Sequence, residues 1–164
     1  MQAFKHPSTI IIVVFALIVA VMTTLDGGDS MTGEVVVIDT HSPVSLSLAP
    51  ESILPQTVLD YADERTIEAY RFAAANPELL THQPCYCGCN MIHDSNEACF
   101  IQDITADGSI TFDMHAVSCG VCVDIALDVK RLTEEGWEQL DIRHYIDESY
   151  VDVGPATDTE MPES

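Results

Sequence analysis

The sequence predicts a small α+β domain, mostly helical, with three to four helices and one β-hairpin, preceded by a transmembrane helix and a flexible stalk. Three observations predict it. Apolar residues recur at helical spacing over Thr57–Ala75 and again after Asp113 and Glu138. An Asp-Gly step separates two short β-prone runs, Phe100–Ile104 and Ile110–Asp113, which signals a hairpin. Near the N-terminus, Ile10–Met22 is an unbroken apolar run, IIIVVFALIVAVM.

Taken as a helix, Ser8–Leu25 is just long enough to cross a bilayer core at about 1.5 Å per residue. Lys5 precedes it, and Asp26 and Asp29 follow it. The positive-inside bias then places the N-terminus in the cytoplasm and the remainder of the chain outside. No small-x-small cleavage site precedes Asp26 and no lipobox cysteine is present, so residues 1–25 are read as an uncleaved signal anchor rather than a cleaved signal peptide. Residues 26–55 are rich in Gly, Ser, Thr and Pro and read as an extracytoplasmic linker, His41 included.

The Cys-rich domain is drawn at 56–155. Thr57–Ala75 is read as one helix with Leu59, Ala62, Ala69, Phe72 and Ala73 inward. Asn76-Pro77 reads as a stop and restart, with Asn as N-cap and Pro at the first helical position. A short turn over Glu78–Thr81 leads to His82-Gln83-Pro84. After the hairpin, Asp113 is the N-cap of a helix running to about Glu135 and stopping at Gly136. His115, Cys119, Cys122, Ala126 and Val129 step along it by 4, 3, 4 and 3 and so share one face. The last helix, about Glu138–Tyr150, offers Ile142, Ile146 and Tyr150 inward. Gly154-Pro155 ends it, and residues 156–164 are an acidic tail expected to fray.

The charge balance, 6 Lys+Arg against 27 Asp+Glu, gives a formal net charge of −21. Such a surface repels nucleic acid and anionic lipid, which excludes a nucleic-acid role, and it suits solvation in high salt.

All 6 cysteines lie between Pro84 and Val123. Cys85, Cys87 and Cys89 alternate with single residues in Pro-Cys-Tyr-Cys-Gly-Cys, Cys99 follows, and Cys119 and Cys122 form Cys-Gly-Val-Cys. PCYCGC with His-x-x-x-Cys-x-x-Cys downstream resembles the bacterial and archaeal family named after its PCYCGC motif, over about Ala69 to Pro155. That resemblance implies a small, exported, membrane-tethered protein, in many members a lipoprotein, and implies no particular activity. Pro-Cys-x-Cys-Gly also resembles the start of a zinc-binding motif at the tail of some translocation ATPases. Here the gap from Cys87 to Cys99 is longer, and no Cys or His follows Cys99 directly.

Three chemistries compete for these sulfurs. Outside the cell, three disulfides are the plain expectation. Cysteines one residue apart bridge each other only with strain, so Cys85, Cys87 and Cys89 would each need a partner among Cys99, Cys119 and Cys122, in three directions from one short loop. Metal ligation asks instead for convergence. Cys85, Cys87, Cys89, Cys99, Cys119 and Cys122, joined by His115 one turn before Cys119 and by His93, form the candidate ligand set. Six thiolates around one divalent ion leave about −4 uncompensated, which favours two divalent ions or several Cu(I) ions with shared thiolates. Neighbouring Met91 and Met114 tilt the choice to copper, with zinc as the alternative. Third, Cys119-Gly-Val-Cys122 at a helix start resembles a thiol–disulfide exchange site, but no βαβ pattern surrounds it.

The sequence thus points to a non-enzymatic, membrane-anchored, extracytoplasmic protein that binds a soft metal, for buffering or for delivery to a surface protein partner. The alternative is a disulfide-stapled interaction domain. His6, His82 and His144 are read as packed or solvated residues.

Overall fold

The computed structural model describes residues 43–88 and 92–163. The apolar segment expected to anchor the chain, and Cys89 and Met91 in the loop, lie outside the described residues. Within them, no helix is long and apolar enough to cross a membrane.

The fold is α+β and mostly helical, with five α-helices and one antiparallel hairpin among the described residues. The first expected helix is two. Ala62 is extended and Asp63 accepts a hydrogen bond from the Thr66 amide at 2.8 Å, so α1 (Gln56–Tyr61) ends and α2 (Glu64–Ala75) begins with a proper cap. Asn76 does not cap the helix that follows. Its Nδ2 donates back to the Phe72 carbonyl and across to the Ser47 carbonyl, each at 3.0 Å, closing α2 instead. Pro77 occupies the first turn of α3 (Pro77–Thr81), a full helical turn where a plain turn was expected.

A 3₁₀ turn, Glu97–Cys99, leads into β1 (Ile101–Ile104), which pairs with β2 (Ile110–Phe112) in the hairpin expected from Asp107-Gly108. Asp107 accepts from the Ser109 amide, and Gly108 takes φ +85°, a value that side chains disfavour. Then comes the main departure. Asp113 caps as expected, accepting from the His115 amide at 2.7 Å, but what it caps is a 3₁₀ turn, His115–Ser118. Cys119 is extended, and α4 runs Gly120–Glu134. His115 and Cys119 therefore do not share one continuous helical face. The last helix, α5 (Gln139–Tyr150), stands where expected.

The core lies between α2, α4 and α5. Ala69, Phe72, Ala73, Ile125, Ala126, Val129, Ile142 and Ile146 are fully buried. Tyr70 joins this layer to the hairpin. Its ring meets Phe100 edge-on at 5.0 Å and its hydroxyl donates to the Asp113 carbonyl at 2.8 Å. Arg65–Asp124 and Lys130–Glu68 ion pairs tie the outer edges of α2 and α4.

Two flanking segments read as loose in the sequence are packed. Of the expected linker, residues 43–55 run along the helices. The Val44 amide donates to the Glu134 carbonyl, the Ala49 amide to the Arg71 carbonyl, and Ala49 and Leu54 are buried. The acidic tail does not fray through Glu163. It crosses the Pro84–Gly88 loop, with Thr157 buried beneath it, and its carbonyls at Thr159 and Glu160 accept from the buried Arg143 guanidinium.

Candidate metal centre

Pro84–Gly88 is extended enough for alternate side chains to face opposite ways, as in a strand. Cys85 and Cys87 turn to the interior of the cluster, their sulfurs 3.2 Å apart. Tyr86 turns the other way, stacks on Tyr150 at 6.3 Å and donates to Asp147 Oδ1 at 2.7 Å. Burial, followed by that bond, pushes the Tyr86 phenol up to about 12, so it remains a donor at neutral pH. Gly88, at φ +80°, turns the chain away after the second cysteine.

The loop is clamped from the tail. The Cys85 amide donates to Thr157 Oγ1, and the Thr157 amide donates to the Cys85 carbonyl. Gly154 passes so close that a Cβ there would lie 2.6 Å from the Tyr86 carbonyl oxygen. From the opposite side, α4 presents Cys122 in its first turn and Cys119 just before it. The positive end of the helix dipole at this terminus favours thiolates. Asn96 is fully buried and donates from Nδ2 to the Cys122 carbonyl at 3.2 Å, fixing the loop before the hairpin to α4.

Cys122 is the centre. Its sulfur lies 3.1 Å from Cys119, 3.3 Å from Cys85 and 3.8 Å from Cys87. Among the described residues no two cysteines are bridged. The Cys87 sulfur is 3.5 Å from His115 Nε2, and the Cys99 sulfur is 3.7 Å from His93 Nδ1. The two imidazoles meet edge-on at 4.9 Å, and Asp113 Oδ2 stands 3.8 Å from His93 Nε2.

Three donor sets could each hold a metal ion: Cys87, His115, Cys119 and Cys122; Cys85, Cys99 and Cys122; and His93, Cys99 and His115, the donor atoms of each lying within 4.8 Å of one another. Every sequence-assigned ligand within the described residues belongs to at least one set. The 3₁₀ turn still delivers His115 to Cys119, although through a different backbone path from the helix expected. Met114 contributes nothing visible to a ligand set. It is exposed, and its sulfur accepts from Thr57 Oγ1 at 3.6 Å. His82 sits beside the tail, Nδ1 3.3 Å from the Glu160 carbonyl, and His144 is exposed.

The thiols polarise one another. Hydrogen bonds from Cys122 and Cys99 hold the Cys85 thiol far below the usual range despite burial, and bonding to the same partners, together with burial, pushes Cys122 up. The cluster thus keeps a thiolate solvated by neighbouring S–H groups, and a cation entering it displaces their protons.

Thr157, Gly154, Asn96 and Arg143 support the site and were not singled out in the sequence. Only Gly154-Pro155 carried a signal, and it reads as a helix stop.

A sequence model of the family described as "Protein of unknown function with PCYCGC motif" matches residues 11–162. No curated protein and no solved structure matches the chain.

Proposed function

Since the chain belongs to the family of proteins with the PCYCGC motif, we propose that it binds a soft metal ion in its cysteine–histidine cluster and buffers it or delivers it to a protein partner outside the cell. One observation carries the reading: Cys122 has three other sulfurs within 3.8 Å. A disulfide joins one sulfur to one other, whereas a metal gathers several. Thiolate with imidazole is the donor chemistry of thiophilic d¹⁰ ions, and softness favours Cu(I), with Zn²⁺ the alternative. The reading includes residues 1–25 as a membrane anchor that leaves the domain outside the cytoplasm. It includes no catalytic step.

The test is elemental analysis of the protein purified from its native membrane, with a thiol count on the same sample. Thiols that become alkylatable on chelation support the proposal. Thiols that become alkylatable only on reduction sink it and favour a stapled interaction domain.

A second reading rests on the 3.1 Å approach of Cys119 to Cys122 at the start of α4, the place where a helix activates an exchange-competent thiol. Insulin reduction by the purified protein separates it, since a metal-holding cluster has no such turnover.

A further inference from the structure

The donors outnumber what one ion takes. The described cluster offers five sulfurs, from Cys85, Cys87, Cys99, Cys119 and Cys122, besides the two imidazoles. A four-coordinate ion bound at one of the three sets leaves at least two of those sulfurs unligated, in a site where three of the five cysteines are fully buried. Charge points the same way. Five thiolates with one divalent ion stay near −3, and with two they fall to about −1, a large difference where water is excluded.

The sets are also unlike. The set of Cys87, His115, Cys119 and Cys122 is half-buried except at Cys122, so it reaches solvent. The set of Cys85, Cys99 and Cys122 is wholly buried and made of sulfur alone. Cys122 belongs to both. Its sulfur stands between Cys119 on the open side and Cys85 on the closed side, at 3.1 and 3.3 Å. Thiolate sulfur has the lone pairs to bind two soft ions at once.

Building on the metal-binding reading, we infer that the domain holds two thiophilic ions bridged by the Cys122 thiolate: a retained inner ion on Cys85 and Cys99, and an exchangeable outer ion on Cys87, His115 and Cys119. Each ion enters by displacing thiol protons, and no electron is transferred. The outer ion, at the solvent-facing set, is the one the protein exchanges with a partner. The inner ion is reached only through the outer set or by opening the tail clamp over Cys85.

Native mass spectrometry of the full-length chain in detergent, reduced and kept anaerobic, reads the stoichiometry. Zn²⁺ and Cu(I) are added in separate titrations, each from a weak chelate. Wild type should saturate at two ions, and a strong chelator should remove them in two phases of equal amplitude. Cys119 belongs only to the outer set and Cys85 only to the inner one. Cys119→Ser should therefore keep one ion and lose the fast phase, and Cys85→Ser should keep one ion and lose the slow phase. Circular dichroism on the same samples confirms that each variant is folded. A wild type saturating at one ion overturns the bridged pair while leaving metal binding intact, as does loss of all metal in both folded variants. A wild type that takes up no ion of either metal overturns the binding reading itself.

Discussion

Cys85 and Thr157 are bonded twice: the Cys85 amide donates to Thr157 Oγ1 at 2.9 Å, and the Thr157 amide donates to the Cys85 carbonyl at 2.9 Å. A buried ligand cysteine is thus held by a residue of the C-terminal tail. Thr157→Val keeps the shape and removes the acceptor, leaving a buried N–H unpaired at a cost of about 1–3 kcal/mol. The urea midpoint should fall and metal affinity should fall with it, while Thr157→Ser should restore both. An unchanged midpoint in Thr157→Val would show that the clamp is ornamental.

Gly154 and Gly120 make an internal comparison. A methyl at Gly154 meets the Tyr86 carbonyl oxygen at 2.6 Å, whereas one at Gly120 meets nothing within 4 Å. Gly154→Ala must push the tail off the loop, at about 1–3 kcal/mol. Gly120→Ala, at the first position of α4, should stabilise by about 0.4–1 kcal/mol by restricting the unfolded chain. Thermal melts of the two variants should move in opposite directions. Movement of both in one direction would contradict the close approach.

These supports show where sequence reading reached its limit. The hairpin was legible because Asp107-Gly108 is a local signal, and Ile142 and Ile146 because α5 obeys one period throughout. Convergence of the sulfurs was legible because alternate residues on extended chain face one way and the first turn of a helix presents Cys122. The break at Ser118–Cys119 was hidden. Residues four apart look helical whichever backbone joins them, and a 3₁₀ turn tightened by the Asp113 cap satisfies the same spacing approximately. Thr157 was hidden for another reason: a threonine in an acidic tail has no local mark, and its partner is 72 residues away. The same holds for Ala49 against Arg71, which made a packed strap resemble a linker.

Tyr150 predicts an alkaline limit. It is half-buried and donates to Asp128 Oδ2 at 2.8 Å, and burial, then that bond to a carboxylate, raises its phenol above the ordinary value. Its folded pKa lies above the unfolded one, so the folded state keeps a proton that the unfolded chain releases. Stability from this group is whole below about pH 10 and is lost as pH rises beyond it. Denaturant midpoints at about pH 8 and 11 should fall less in Tyr150→Phe than in wild type. Thiol ionisation is common to both proteins and cancels in the comparison. Equal losses would show that the phenol does not sense this environment.

Salt should stabilise the domain, and the argument turns on which electrostatic effect is larger. Four of the six basic side chains, Arg65, Lys130, Arg131 and Arg143, are already paired with carboxylates. Screening weakens exposed pairs such as Arg131–Glu135, each worth about 0–1 kcal/mol. It also relieves repulsion among the many carboxylates left over from a formal charge of −21. The screening length shrinks from about 10 Å at 0.1 M to about 3 Å at 1 M, shorter than most separations between surface charges but close to contact distance for a pair. Repulsion is therefore screened more completely than pairing. The melting temperature should climb steadily in KCl from about 0.1 to 1 M, and an uncharged osmolyte at matched water activity should produce a smaller rise. A melting temperature that falls with KCl would mean that the ion pairs, and not the excess of acid, set the electrostatic balance of this fold.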